Sequence, residues 1–273
     1  MSRFLMGVLQ VDVGNNKREN LRKIESYIEK AVAKGAQFIS MPENINFIGK
    51  LEESIASAEP IPGETSAFFS GLAAKNSVWI HCGSYAEYVP GEKKVYNTSI
   101  VVDPAGAIVA SYRKIHLYDV DITDGPSVRE SDAKIPGREI VAFDSEYGRM
   151  GLSICYDMRF PELYRILALK GAKLMFVPAN YTLFTGKDHW EVVLRTRAIE
   201  NQCFIVAAGQ VGMKPYFQAY GRSMVVDPWG TVIAQASDGE GVFVAEIDMD
   251  RVESVRRQLP SFPNRRPETY AWE

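Results

Sequence analysis

Two strings in this 273-residue chain occur twice, in the same order. KGAQFISMPEN (residues 34–44) returns as KGAKLMFVPAN (170–180), and SIVVDPAGAIVA (99–110) returns as SMVVDPWGTVIA (223–234). The offsets, 136 and 124 residues, are close enough to describe one duplicated half. In the first pair a helix end leads into a buried apolar strand that stops at Pro, which is the helix-to-strand step of an α/β unit. In the second, Asp-Pro-x-Gly is turn chemistry between two alternating strands, a β-hairpin. Each half therefore contributes similar layers. Two half-sheets with helices on their outer faces bury their apolar faces against each other, so the expected α/β fold is a four-layer α-β-β-α sandwich with approximate internal two-fold symmetry.

Hydrophobic period and punctuation place strands near residues 4–10, 38–41, 78–85, 98–103, 108–113, 140–143, 150–155, 174–177, 203–208, 222–227, 232–236 and 242–248. Helices fall near 18–34, 64–75, 162–170, 189–199 and 249–259. In the first of these, Leu21, Ile24, Ile28 and Val32 recur in steps of three and four, on one face. No Pro/Gly/Ser linker divides the chain, so residues 1–273 are expected to form a single domain. The least regular stretch, 119–137, is too long for a plain connection and is a candidate functional loop.

The 31 Lys plus Arg and 34 Asp plus Glu leave a formal charge of −3 with no basic block, which argues against nucleic acid as a partner. No segment approaches the roughly 18 apolar residues needed to span a bilayer. The opening MSRFLMGVLQVD is broken by Gln10 and Asp12 and predicts a first strand rather than a signal peptide. Cys82, Cys155 and Cys203 cannot all pair and form no CxxC or Cys/His cluster. The expectations are a cytoplasmic protein, no membrane contact and no structural zinc.

Function enters where the repeat breaks. After the Pro of the duplicated strand the first copy has Glu43 and the second Ala179, so the scaffold itself does not require a carboxylate there. An ordinary surface Glu is the alternative. Cys155 closes the strand RMGLSIC, and Pro161 opens a helix shortly afterwards. A thiol at such a turn projects out of the sheet, as a nucleophile must. Cys82 and Cys203 lie inside apolar strands and look like core residues. A thiol nucleophile needs a proton acceptor, and His81, His116 and His189 lie in no familiar thiol-protease context. Glu43 in a desolvated cleft could take that proton. Lys114, at the end of SYRK, could stabilise thiolate and oxyanion.

PEN with Glu43, YRKIHLYD with Lys114 and GLSICYDMRFPE with Cys155 resemble the Glu-Lys-Cys motifs of the nitrilase superfamily, the carbon-nitrogen hydrolases. The likeness runs from GVLQVDV to LPSFPNRRPETY and includes HWEVVLRTRAIENQCFIVAAGQVG. It implies a nitrilase-type sandwich that forms a homodimer through its outer helices. It also implies Cys155 as nucleophile, Glu43 as general base and Lys114 as oxyanion stabiliser aided by the backbone N–H of Tyr156. Glu130, in GPSVRESD within the irregular loop, matches a further family glutamate expected to position Lys114 and the substrate.

VDITDGPSVRESD, MRFPE, AAGQVGM and YGRSMVVDPWG are most similar to the Nit-type branch, which includes deaminated glutathione amidases and ω-amidases. The implied substrate is a small anionic amide, hydrolysed without a metal or organic cofactor. A site for it needs a fixed cation, and Arg159 is the candidate carboxylate fork. Tyr181 and Thr185 align with pocket-lining positions in these amidases. KPYFQAYGR (214–222) is shorter than the corresponding segment of some relatives, which bears on the substrate entrance. His116 and His189 are expected to be hydrogen-bonded structural groups, and Trp229 to pack at its hairpin. Besides deaminated glutathione, the open alternatives are 2-oxoglutaramate or 2-oxosuccinamate as substrate, and a binding protein without turnover.

Overall fold

The computed structural model describes residues 2–270. The single-domain expectation for 1–273 thus includes residues 1 and 271–273, which lie outside the described residues. The first half runs β1 (Arg3–Gln10), α1 (Lys17–Ala33), β2 (Phe38–Ser40), α2 (Leu51–Ala56), α3 (Glu64–Asn76), β3 (Trp79–His81), β4 (Tyr85–Glu87), β5 (Tyr96–Val102) and β6 (Ile108–Arg113). A short hairpin, β7 (Asp119–Asp121) and β8 (Ser127–Arg129), follows. The second half runs β9 (Ala142–Ser145), β10 (Gly148–Leu152), α4 (Pro161–Leu169), β11 (Leu174–Ala179), α5 (Leu183–Asn201), β12 (Phe204–Gly209), β13 (Met224–Val226) and β14 (Val232–Gln235). The chain then returns to the first sheet with β15 (Gly241–Asp248) and ends in α6 (Asp250–Gln258).

The two sheets repeat one another. One has the order β15-β1-β2-β3-β5, with β6 and β4 both on β5; the other has the order β9-β10-β11-β12-β13-β14. Read in parallel, β15-β1-β2-β3-β5-β6 and β9-β10-β11-β12-β13-β14 share one pairing pattern: antiparallel, parallel, parallel, antiparallel, antiparallel. The duplicated KGA does the same work in both halves. Ala36 N donates to Ala31 O and Gly35 N to Val32 O, while Ala172 N donates to Leu167 O and Gly171 N to Ala168 O. Both are Schellman closures, and Gly35 at φ 84° and Gly171 at φ 92° adopt the left-handed conformation that this closure requires. In the hairpins Asp103 Oδ1 accepts from Ala105 N and Ala107 N, and Asp227 Oδ1 from Trp229 N and Thr231 N.

Alternation then assigns each strand residue to a layer. In β2, Phe38 enters the core between the sheets while Ile39 packs toward α1 and α3 with Ile24, Ile28, Phe69 and Leu72. The sheets meet through Phe38 and Phe176, ring centroids 5.2 Å apart, and through Phe4 and Tyr147 at 4.3 Å. Burying each such side chain contributes about 1.5–3 kcal/mol, so the facing apolar strips hold the halves together. The α-β-β-α sandwich is thus the observed fold.

Several boundaries differ from the sequence expectation. The strand expected over 78–85 is two, β3 and β4, broken at Gly83, whose φ of 60° and approach to the Pro42 carbonyl leave no room for a side chain. The helix expected from 189 begins at Leu183; Gly186, against the Tyr220 ring, hides its first turns from a propensity reading. The strand expected to reach 155 ends at Leu152. Helix α2 and the β7/β8 hairpin were not apparent in the pattern. Trp229 is 52% exposed rather than packed.

Candidate active site

Glu43 sits just beyond β2 and is 3% exposed. The second half of the repeat clamps it. Its Oε2 accepts from the backbone N of Asn180 at 2.7 Å, the last residue of the matching string, and its carbonyl accepts from Gln210 Nε2 at 2.8 Å. Its Oε1 accepts from Asn97 Nδ2 at 2.8 Å and Lys114 Nζ at 3.1 Å. A carboxylate fixed on three sides cannot rotate away from what faces it.

Lys114, at the end of β6, is buried and bridges two carboxylates, donating to Glu43 Oε1 and to Glu130 Oε2 at 2.8 Å. Burial alone would drive this ammonium toward neutrality, but the charges of Glu130 and Glu43 and the proximity of Cys155 hold its pKa well above the ordinary value. Glu130 also accepts from Tyr118 N at 2.8 Å. Burial would raise its pKa, yet Lys114 and then Lys134 pull it below the usual carboxylate range. The irregular 119–137 stretch therefore delivers a charged group to Lys114.

Cys155 is 8% exposed and opens a short 3-10 helix, Cys155–Arg159, with φ 49°. The left-handed conformation is strained for a non-glycine residue and lifts the thiol off the line of β10. Asp157, fully buried, holds the turn: Oδ2 accepts from Ile154 N at 2.8 Å and Tyr112 Oη at 2.7 Å. Its Oδ1 accepts from His116 N at 3.0 Å and pairs with His116 Nδ1 at 2.7 Å. One side chain thus ties the Cys155 turn to the segment following Lys114. Burial pushes the Cys155 thiol well above its ordinary pKa, the Glu43 charge adds to this and Lys114 opposes it. The resting group is a thiol beside a carboxylate. Cys82 and Cys203 are buried with raised pKa values, Cys203 to about 12, in keeping with core roles.

Glu43, Lys114, Glu130, Cys155 and Tyr156 line one cavity of about 190 Å³, together with Tyr181, just before α5, and Thr185, in its first turn. The Tyr156 N–H lies at the start of the 3-10 helix, where no intrahelical acceptor exists. Arg159 does not line the cavity; its Nη2 donates to Tyr181 Oη at 2.5 Å and meets His189 Nδ1 at 3.3 Å, so it stands behind the Tyr181 ring. Lys214, Pro215, Tyr216 and Phe217, from the segment 214–222 tied by sequence to the substrate entrance, form a further wall, while sequence reasoning missed Asn97, Asn180, Asp157 and Lys134. Asn180 was detectable as the repeat's own strand end. The others carry no local signal.

Residues 5–257 match the carbon-nitrogen hydrolase family. The chain belongs to that family. It is 41% identical over 269 residues to the deaminated glutathione amidase of Synechocystis sp., covering 97% of this chain and 99% of that protein. It is 37% identical to the human omega-amidase NIT2, covering 100% of this chain and 99% of that protein. Among solved structures, the C. elegans NitFhit protein superposes with a TM-score of 0.91 at 37% identity, over 99% of this chain and 67% of that one. This carbon-nitrogen hydrolase has no helix among the described residues long and apolar enough to cross a membrane.

Proposed function

We propose that this carbon-nitrogen hydrolase is an amidase acting on a small carboxylate-bearing amide, with deaminated glutathione as substrate, through a Cys155 thioester. The observation that carries this reading is the convergence of Glu43, Lys114 and Cys155 in one cavity, with Glu43 and Glu130 both on the Lys114 ammonium. Cys155 Sγ bonds to the amide carbon as its proton passes to Glu43. The carbonyl oxygen becomes an oxyanion held by Lys114 Nζ and the Tyr156 N–H. Glu43 returns the proton to nitrogen, the C–N bond breaks and the amine departs. Water, deprotonated by Glu43, then attacks the thioester carbonyl and frees the acid and the thiol. Glu130 keeps Lys114 aligned. Tyr181 and Thr185 receive the carboxylate of the acyl end, and Arg159, outside the cavity, acts through Tyr181, whose hydroxyl it holds.

The omega-amidase NIT2 relative favours a second reading, hydrolysis of 2-oxoglutaramate or 2-oxosuccinamate with release of ammonia. Steady-state turnover of deaminated glutathione and 2-oxoglutaramate, with Cys155→Ala as blank, separates them. A kcat/KM for deaminated glutathione higher by two decades, about 2.7 kcal/mol of transition-state discrimination, supports the first reading. The reverse preference refutes it. Glu43→Gln abolishes turnover because a neutral amide cannot accept the thiol proton; retained activity would remove Glu43 from that role.

The protein further acts as a cytoplasmic homodimer of single-domain chains spanning residues 1–273. Exposed Ile166 and Leu169 on α4 and Val192 and Ile199 on α5 support association through the outer helices. Sedimentation as a monomer at working concentration would refute it.

A further inference from the structure

Lys134 is a cavity-lining cation that the mechanism above does not use. Its backbone is fixed: Lys134 N donates to Glu130 O at 2.9 Å, and Val95 pairs with both flanking residues, its N with Ala133 O at 3.0 Å and its O with Ile135 N at 2.9 Å. Its ammonium makes no hydrogen bond or ion pair among the described residues, although Glu130 and Glu43 are the carboxylates that face it. Burial lowers its pKa, so the charged form is kept at a cost that a ligand anion would relieve.

Charge counting points the same way. Lys214 is held by Asp12 at 2.6 Å, outside the account. The remaining lining charges are Glu43 and Glu130 against Lys114, Lys134 and the exposed Arg129, so the cations outnumber the carboxylates by one. Position then assigns the anion to one end of the substrate. Glu43 delivers its proton to the departing nitrogen, so the wall shared by Glu43 and Lys134 faces the amine side. Tyr181 and Thr185, at the β11–α5 turn that Glu43 also touches through Asn180, lie on the far side of Glu43 from Lys134. Tyr181 is surrounded by Arg159, Cys155 and Tyr118, and Lys134 by Glu130, Glu43 and Lys114, so Tyr181 and Thr185 face the acyl side.

We infer that Lys134 binds a carboxylate carried by the leaving amine, making this site selective for amides of amino acids or short peptides over primary amides. The inference rests on the amidase reading for the direction of the scissile bond. The test is equilibrium titration of Cys155→Ala protein with N-carboxymethyl succinamate, its glycylglycine counterpart and N-ethyl succinamate, a control of similar size that keeps the acyl-end carboxylate but has no charge on its amine end. At least one amide with a carboxylate on its amine end binds tenfold or more tighter than the control. Lys134→Met collapses that ratio to within twofold, whereas Lys134→Arg retains most of it. No preference in the parent, or a preference that survives Lys134→Met, overturns the inference. Turnover of the same amides by protein with Cys155 intact is scored separately. Absence of all turnover refutes the amidase reading, while the binding ratio still decides whether Lys134 is an anion site.

Discussion

Asp157→Asn isolates how the fold holds its candidate nucleophile. The change preserves shape but replaces one of two acceptor oxygens, each now serving two donors, with an NH₂ group. Each oxygen faces one partner that can reverse its role, the Tyr112 hydroxyl on Oδ2 and the His116 Nδ1 tautomer on Oδ1. Each also faces one backbone N–H that cannot, Ile154 on Oδ2 and His116 on Oδ1. Whichever way the amide turns, one buried N–H is orphaned, at about 1–3 kcal/mol. The bonds that remain lose the strength lent by the carboxylate charge, which brings the expected loss to about 2–4 kcal/mol. Urea unfolding of wild type and variant measures it, with Asp144→Asn as control. That side chain is 73% exposed and only 3.5 Å from Arg149, so the control should fall within about 0.5 kcal/mol of wild type. An Asp157→Asn loss no larger than the control's would refute the claim that this carboxylate clamps the turn. Because the orphaned group is either Ile154 N, next to Cys155, or His116 N, two residues beyond Lys114, turnover should fall along with stability.

His81 lies between Ser40 Oγ and Ser99 Oγ, each 3.0 Å from a ring nitrogen, and burial depresses its pKa to about 3. The fold keeps it neutral while the unfolded chain takes up a proton below about pH 6.5, so it costs stability increasingly as pH falls. From pH 6.5 to 4.5 wild type should lose about 2–3 kcal/mol more than His81→Gln, and parallel stability curves would exclude this. Two glycine substitutions should have opposite signs in thermal or urea unfolding. Gly171→Ala, at φ 92° in the Schellman closure of α4, should destabilise by about 1–2 kcal/mol. Gly71→Ala, inside α3 with open space around it, should stabilise by about 0.5–1 kcal/mol, and matching signs would contradict the local readings.

What could be read from the linear chain is what repeats or what breaks a repeat. The duplicated helix closures and hairpins depend on near-neighbour bonds, from Ala36 to Ala31 or from Ala107 to Asp103, so their pattern survives in one dimension and foretells the sandwich. Glu43 was conspicuous because its counterpart is Ala179, and Cys155 because Pro161 follows it. The breaks at Gly83 and Gly186 were not legible, because they answer to Pro42 and Tyr220, distant in sequence and touching only in the fold. Nor was the purpose of Asp157, whose four donors come from three residues, Tyr112, His116 and Ile154, of which the first two lie 45 and 41 residues away in sequence. Lys134 would pass for an ordinary loop lysine, and Arg159 for a cavity residue. Tertiary structure alone placed the first inside the cavity and the second behind Tyr181, because the position of a charge relative to a cavity depends on which walls close around it.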